Sequence, residues 1–333
     1  MKLPSLWRSP SCAALLPILG LVSAACGGSS DSPTQLGSAG ASSGSNVVGD
    51  PNKLVGSFQV KLTPASDLGP AATSIVGRIY DAPTPVTTRW EEPQLDGNCT
   101  LTTPRVPFCS TPCGGSAACV EDDTCVAYPT AHGAGVVTMT GLQTTNGSTP
   151  LELKLVGTTY QAPPSIPLAY PPFAEGDAVT LTAAGDYFPA FGLSSRGIAP
   201  LALTESELAL KSGQSLTLNW TKGTQGAASI HVKLDISHHG GSKGQIECDS
   251  SDSGALTVSA ALIGKLLNLG VAGFPSVIVT RHLVDSTVIP AGRVELEISS
   301  SVEQAVTIDG LVSCTDKADC PSGQTCQPDL TCK

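Results

Sequence analysis

The last twenty residues contain "CTDKADCPSGQTCQPDLTC", which sets Cys314, Cys320, Cys326 and Cys332 at a strict six-residue period. Residues 109–125, "CSTPCGGSAACVEDDTC", repeat the device with Cys109, Cys113, Cys119 and Cys125, the last three at the same period. Both copies carry an acidic or small residue before the middle cysteine and a Thr before the next. A segment of about twenty residues cannot enclose a hydrophobic core, so each copy reads as a small module that depends on its bridges. Two bridges per module use eight cysteines. Of the chain's twelve, Cys12 and Cys26 lie near the N-terminus, so Cys99 and Cys248 remain. An even number in an exported chain reads as a disulfide framework, and it predicts a Cys99–Cys248 bridge between an early insert and a later strand. Zinc is disfavoured, because there are no C-x2-C pairs and no interleaved histidines. Neither metal nor cofactor is expected.

Export is read from the first residues. Lys2 and Arg8 precede the short apolar stretch "CAALLPILGLVSAA", broken by Pro17 and too short for a permanent membrane span. It ends in "LVSAAC", which resembles the lipobox of bacterial lipoproteins, departing from it at Ser23, where that family prefers Leu. The resemblance implies acylation of Cys26 as the mature N-terminus, and Gly27 after it implies the outer membrane. An ordinary secretory leader cut near Ala25 is the competing reading. Residues 26–52 then run through "CGGSSDSPTQLGSAGASSGSN", too poor in apolar side chains to fold, and read as a flexible tether. The cysteine modules resemble short cysteine-rich modules of secreted myxobacterial proteins and, more loosely, Dickkopf-type and EGF-like repeats. The chain's formal charge of −10 falls further when Lys2 and Arg8 leave with the leader. Such an acidic chain without a basic stripe argues against a nucleic-acid partner.

Strand signals fill the rest. "GSFQVKLT" (56–63) alternates Phe58, Val60 and Leu62 with polar neighbours, and 135–157 reads as a hairpin with Asn146-Gly147 as its turn. Further strands are read at 177–185, 214–221, 229–237, 244–248, 275–284, 292–299 and 303–308. One helix is predicted at 259–270, capped by Ser259 and closed by Gly270. "TESELAL" (204–210) fits an extended edge, and "WEEPQ" (90–94) reads as exposed loop. The expected fold is all-β: two antiparallel Ig-like β-sandwich domains with small disulfide-rich modules. The divisions are a leader at 1–25, the tether at 26–52 and a first β-domain at 53–200 with its insert at 99–125. A sandwich at 201–312 and a C-terminal module at 313–333 complete the chain. The stretch from "QSLTLNWT" to "LTVSAALIGKLL" resembles a β-sandwich domain of uncharacterised myxobacterial lipoproteins, a resemblance that brings no activity with it. Trp220 and Cys248 echo an immunoglobulin core without the usual second cysteine.

"SIHVKLDISHHGGSKGQIEC" (229–248) holds three of the five histidines. Ile230, Val232, Leu234 and Ile236 must face a core, so His231 and Asp235 point the other way. Four positions apart on a strand, they lie about 13 Å from each other at about 3.3 Å per residue. Zinc ligands sit about 2 Å from the metal, so these two cannot share an ion. "SHHGGSK" resembles a fragment of the metallo-β-lactamase fold but lacks that family's H-x-H-x-D-H box. His238 and His239 are therefore read as turn decoration, with weak surface binding of a transition metal as the sharper alternative. No G-x-S-x-G elbow, H-E-x-x-H, phosphate loop or dinucleotide fingerprint appears, and His132 and His282 cannot be assigned a serine partner. "CDSSDSG" (248–254) reads as turn residues and "VEDDTC" (120–125) as a solvated module face, since neither matches a calcium loop. The leading expectation is a non-enzymatic surface lipoprotein contacting an unknown protein or glycan, with its membrane contact through the lipid. The alternatives are a secreted hydrolase or metal-dependent enzyme whose site no motif reveals, and an inhibitor or receptor ligand acting through a cysteine module.

Overall fold

Alternation builds the first strands. In the computed structural model, which describes residues 53–66, 69–148, 150–241 and 243–333, β1 (Leu54–Thr63) buries Phe58, Val60 and Leu62, and β2 (Ala72–Ile79) buries Ile75 and Ile79. The leader, Cys26 and the tether lie outside the described residues. The β1–β2 register sets Phe58 opposite Gly77, where an added Cβ would lie 2.1 Å from the Phe58 ring. Glycine there lets Phe58 lie over the backbone and tilt against Tyr160 at 5.8 Å.

β3 (Arg89–Asp96) and β4 (Cys99–Arg105) form the next antiparallel pair, followed by the module hairpin of β5 (Ala117–Glu121) and β6 (Thr124–Ala127). "WEEPQ", expected as a loop, lies within β3 instead. Pro93 has no N–H to give a ladder, and it is tolerated because β3 is the outer strand of its sheet and bulges between Glu91 and Gln94. Along 135–157 come β7 (Val137–Thr140), β8 (Gln143–Thr144), β9 (Gly147–Ser148) and β10 (Leu151–Val156). β7 and β10 pair with Met139 opposite Leu151, while β8 and β9 make a miniature ribbon around Thr145 and Asn146. β11 (Thr159–Gln161), β12 (Ala178–Ala183) and β13 (Phe191–Arg196) follow.

The later chain supplies β14 (Leu208–Leu210), β15 (Leu216–Asn219), β16 (Ser229–Asp235), β17 (Gln245–Ser251) and β18 (Ala255–Val258). The helix α1 (Ala260–Asn268) begins where the Ser259 hydroxyl accepts from the Leu262 N–H at 3.2 Å, and Gly270 just beyond it adopts φ +92°. Its buried face is Leu262, Ile263 and Leu266. β19 (Ser276–Ile289) and β20 (Gly292–Ile308) end the series, and the fold is all-β with this single α-helix among the described residues. Fourteen strands form one sheet in the order β13-β12-β7-β10-β11-β2-β1-β20-β19-β16-β17-β4-β3, with β14 beside β20. β13 also reaches β19, where the Ser194 N–H donates to Asp285 at 2.7 Å.

Two hydrophobic cores hang on one ribbon. The first joins side chains from 55–198 to Ile289, Val294, Leu296 and Ile298. The second joins Cys99 and Leu101 to residues 201–306, including α1, Trp220 and the β15–β18 pair. β19 and β20 run 14 and 17 residues without interruption and serve both. On their inward face Val277 and Val279 enter the second core, while Ile289, Val294, Leu296 and Ile298 enter the first. Between these sets sit Arg281 and its cross-strand partner Ser300, both buried.

Arg281 is held on every side. Its side chain is 1 % exposed and that of Asp252 2 %. Nε and Nη2 donate to the Asp252 carboxylate at 2.8 and 3.2 Å, Nη1 to the carbonyls of Ala199 and Pro200, and Nη2 to the carbonyl of Thr221. Ser300 accepts the Leu201 N–H at 2.9 Å. Residues 199–201 carry the chain from one core to the other, so this polar waist pins the crossing itself.

Five disulfides complete the framework. Cys99–Cys248 joins directly opposed residues of β4 and β17 inside the second core. The modules pair identically, first cysteine with third and second with fourth: Cys109–Cys119 and Cys113–Cys125, then Cys314–Cys326 and Cys320–Cys332. In each, the residue two before the last cysteine has a left-handed backbone, Asp123 at φ 57° and Leu330 at φ 59°.

Truncating Arg281 leaves a buried carboxylate without its cation, and urea denaturation of Arg281→Ala is expected to show a loss of about 3–5 kcal/mol. Arg281→Lys should recover little of it, because an ammonium cannot reproduce the planar fork that serves a carboxylate and three carbonyls together. A loss below about 1 kcal/mol would mean that the waist is not structural.

Candidate functional site

The outward face of β16, β17 and β19 gathers a cluster of titratable side chains, His231, Lys233, Glu247, Asp249 and His282. The ladder brings His231 opposite Asp249 and Lys233 opposite Glu247, with His282 on the next strand beyond Ser229. His231 Nδ1 lies 2.9 Å from Asp249, and Nε2 lies 3.7 Å from Glu247. Hydrogen bonding to Asp249 first and Glu247 second, against partial burial, raises the His231 imidazole from 6.5 to about 9. The same contacts hold Asp249 and Glu247 below their ordinary values. His231 was expected simply to face solvent. Its side chain is 33 % exposed and clasped between two carboxylates, because β17 is its neighbour. An imidazolium has no lone pair to offer a metal and no vacancy to accept a proton. His282 behaves oppositely: burial chiefly lowers its pKa, and its Nε2 is buried without a hydrogen-bond partner among the described residues.

The "SHHGG" turn has a packing explanation. An added Cβ on Gly240 would meet the Gly273 nitrogen at 2.4 Å, and one on Gly273 would meet the His238 carbonyl oxygen at 1.9 Å. Two backbone segments therefore cross in contact, joined by hydrogen bonds from Ala272 N–H to the Ile236 carbonyl and from Phe274 N–H to the His238 carbonyl. The C-terminal module closes over the crossing: the Gly273 N–H donates to the Asp329 carbonyl, and the Ser313 hydroxyl to that of Gly273. His238 and His239 lie edge to face, their ring centroids 3.9 Å apart. Asp235 accepts from Ser237, through both its N–H and its hydroxyl.

Both acidic clusters have cationic partners. Asp252 of "CDSSDSG", read as a turn residue, is the buried partner of Arg281, and it also accepts from Trp220 Nε1 at 2.7 Å and the Gly223 N–H at 2.8 Å. Burial works against its charge, but these hydrogen bonds and Arg281 prevail, and its pKa is lowered. In "VEDDTC", Glu121 pairs with Arg89 at 2.5 Å and Arg105 at 3.1 Å, and Asp122 pairs with Arg105. The cluster thus docks the first module on the β3–β4 pair while remaining a solvated face, with Asp122 and Asp123 exposed.

His132 pairs with Asp81 at 3.4 Å and stacks on Tyr187, ring centroids 3.6 Å apart. Among the described residues, the trios of His, Cys, Asp or Glu close enough to share an ion are Cys109, Cys113, Cys119 and Cys314, Cys320, Cys332. All six sulfurs are in disulfides, so none is a thiolate. A cavity of about 20 Å³ beside the waist, lined by Glu175, Arg196 and Asp252, is of the size of one water. No helix among the described residues is long and apolar enough to cross a membrane. No protein-family model matches the chain, and no curated protein matches it.

The sign of the His231 contribution follows from its raised pKa. Stability from this group is complete below its unfolded value of 6.5 and is lost as pH rises through about 9. Asp249 and Glu247, held low, contribute above their unfolded values of 3.8 and 4.5 and lose that in acid. The Tm gap between wild type and His231→Gln is therefore expected to be large at about pH 6 and to close by about pH 10. A gap independent of pH would contradict the ion-pair assignment. Separately, Gly240→Ala is expected to lower Tm, whereas His238→Ala with His239→Ala leaves it nearly unchanged; the reverse pattern would return the turn to a histidine-based role.

Proposed function

We propose that this chain is a non-enzymatic, lipid-anchored binding module of the bacterial outer envelope. Cys26, at the end of "LVSAAC", is acylated, residues 26–52 act as the tether, and a rigid β-body stands beyond them. The body is read as two sandwich-like halves, one around each core, with a cysteine module docked on each side. Several acyl chains, each contributing about 0.8 kcal/mol per buried methylene, would make such an anchor durable.

The observation that carries the non-catalytic reading is the condition of His231. Asp249 and Glu247 hold it as a cation at neutral pH, where a general base needs a free nitrogen. Glu121, Asp122 and Asp252 are likewise matched to arginines that organise the fold. A body so stapled offers fixed surfaces, which suit recognition of a protein or glycan at the cell surface.

Palmitate labelling with fractionation tests the anchor. Wild type is expected to incorporate label and to sediment with outer membrane, and Cys26→Ala to lose both. Label retained in Cys26→Ala, or wild type found soluble and unlabelled, would refute it.

A further inference from the structure

The outward side of β1, β2 and β11 carries a groove of about 440 Å³, within the size range of small-molecule sites. Its polar lining is Ser57, Gln59, Arg78, Tyr80, Thr84 and Thr159. The register explains the grouping, since Ser57 stands opposite Arg78 and Gln59 opposite Val76, while β11 lies against β2. Val76, 47 % exposed, supplies an apolar patch in the groove.

Arg78 is held there by neutral groups. Its Nε and Nη2 donate to the Thr159 hydroxyl, and Nη1 donates to the Tyr80 hydroxyl at 3.1 Å. Arg89, Arg105, Arg281 and Arg293 each face a carboxylate, and Arg78 enters no such pair among the described residues. It is also the one charged residue of the lining. The acids of β20 stand across β1 from Arg78: Glu295 pairs with Arg293 at 3.0 Å, and Glu297 accepts from the Gln59 amide at the edge of the groove at 3.2 Å. Because Thr159 and Tyr80 accept from the guanidinium, each keeps its own hydroxyl proton to donate outward. The result is a fixed positive charge flanked by donors, an arrangement that favours a carboxylate. In a chain of net charge −10 this groove is a local exception.

We propose that this groove binds an acidic saccharide, with the sugar carboxylate on Arg78, Tyr80 and Thr159, its hydroxyls toward Ser57 and Thr84, and Val76 against the C–H face of the ring. This rests on the reading of the chain as a binding module. It does not involve Cys26, so palmitate labelling and ligand binding can fail separately.

The test is a titration of the full-length protein with sodium glucuronate, glucose and acetate, followed by amide chemical shifts. Glucuronate is expected to shift residues 57–59, 76–80 and 159 saturably, and to bind about tenfold or more tightly than either fragment, because each fragment keeps only part of the contacts. Arg78→Ala should weaken glucuronate by about tenfold or more, with Arg78→Lys intermediate. Arg78 is exposed and outside both cores, and unchanged amide dispersion elsewhere verifies that the variants fold. Shifts that are absent or lie elsewhere would overturn the site. Glucose equal to glucuronate would remove the role of the charge, and acetate equal to glucuronate would remove that of the hydroxyl lining. Unchanged affinity in Arg78→Ala would overturn the assignment to this arginine.

Discussion

A guanidinium in the middle of a β-ribbon, with almost none of its surface in water, persists only when its charge and its N–H groups are all matched. Arg281 meets that condition through Asp252 and the carbonyls of Ala199, Pro200 and Thr221. The consequence reaches beyond one ion pair. These partners come from the crossing at 199–201 between the two cores, the segment after Trp220 and the turn just past β17, so one side chain fixes three chain segments against β19. Slipping β19 by one residue would turn His282 inward and expel Arg281, which fixes the register of the longest ribbon among the described residues. Both cores inherit that register, because each packs on a different half of β19 and β20.

The four module disulfides act where apolar packing is weakest, and the fifth acts inside a core. Cys99–Cys248 lies within a core, and by the chain-entropy argument a loop of this length contributes roughly 5 kcal/mol. It ties β4, and with it the edge strand β3, to the sheet. The modules, too small for a core, have two bridges each and then dock through different chemistry: ion pairs for the first, backbone and hydroxyl hydrogen bonds to Gly273 for the second. Their shared connectivity and shared left-handed residue go with a common hairpin over the last two cysteines, Cys119 opposite Cys125 and Cys326 opposite Cys332, where both copies keep the six-residue spacing.

Local signals in the sequence were the readable ones. Ser259 and Gly270 mark the helix, and the Phe58, Val60, Leu62 alternation marks β1, because capping and period depend on neighbours in the chain. The ribbon was harder to see. Residues 275–284, 292–299 and 303–308 read as three strands, since Asp285, Ser286 and Thr287 and then the serines at 299–301 interrupt the apolar pattern, the serines at the very place where the waist needs polar groups. The roles of Asp249 and Asp252 were hidden for a related reason. Both sit in one serine-rich stretch, and only long-range pairing sends the first to His231 and the second to Arg281. "SHHGG" drew notice for its histidines, while its structural content lies in Gly240, whose contact with Gly273 comes from more than thirty residues away. The groove at Arg78 left no motif, because it is assembled from three strands.

The central claim is that the waist makes the two cores one cooperative unit. Native-state hydrogen exchange under rising denaturant measures this directly, by comparing amides of β12 and β13 in the first core with those of β15 and β18 in the second. The account predicts that the slowest amides in both sets converge on a single opening free energy with the same denaturant dependence. Two separate global openings, with one core exchanging while the other stays protected, would contradict it.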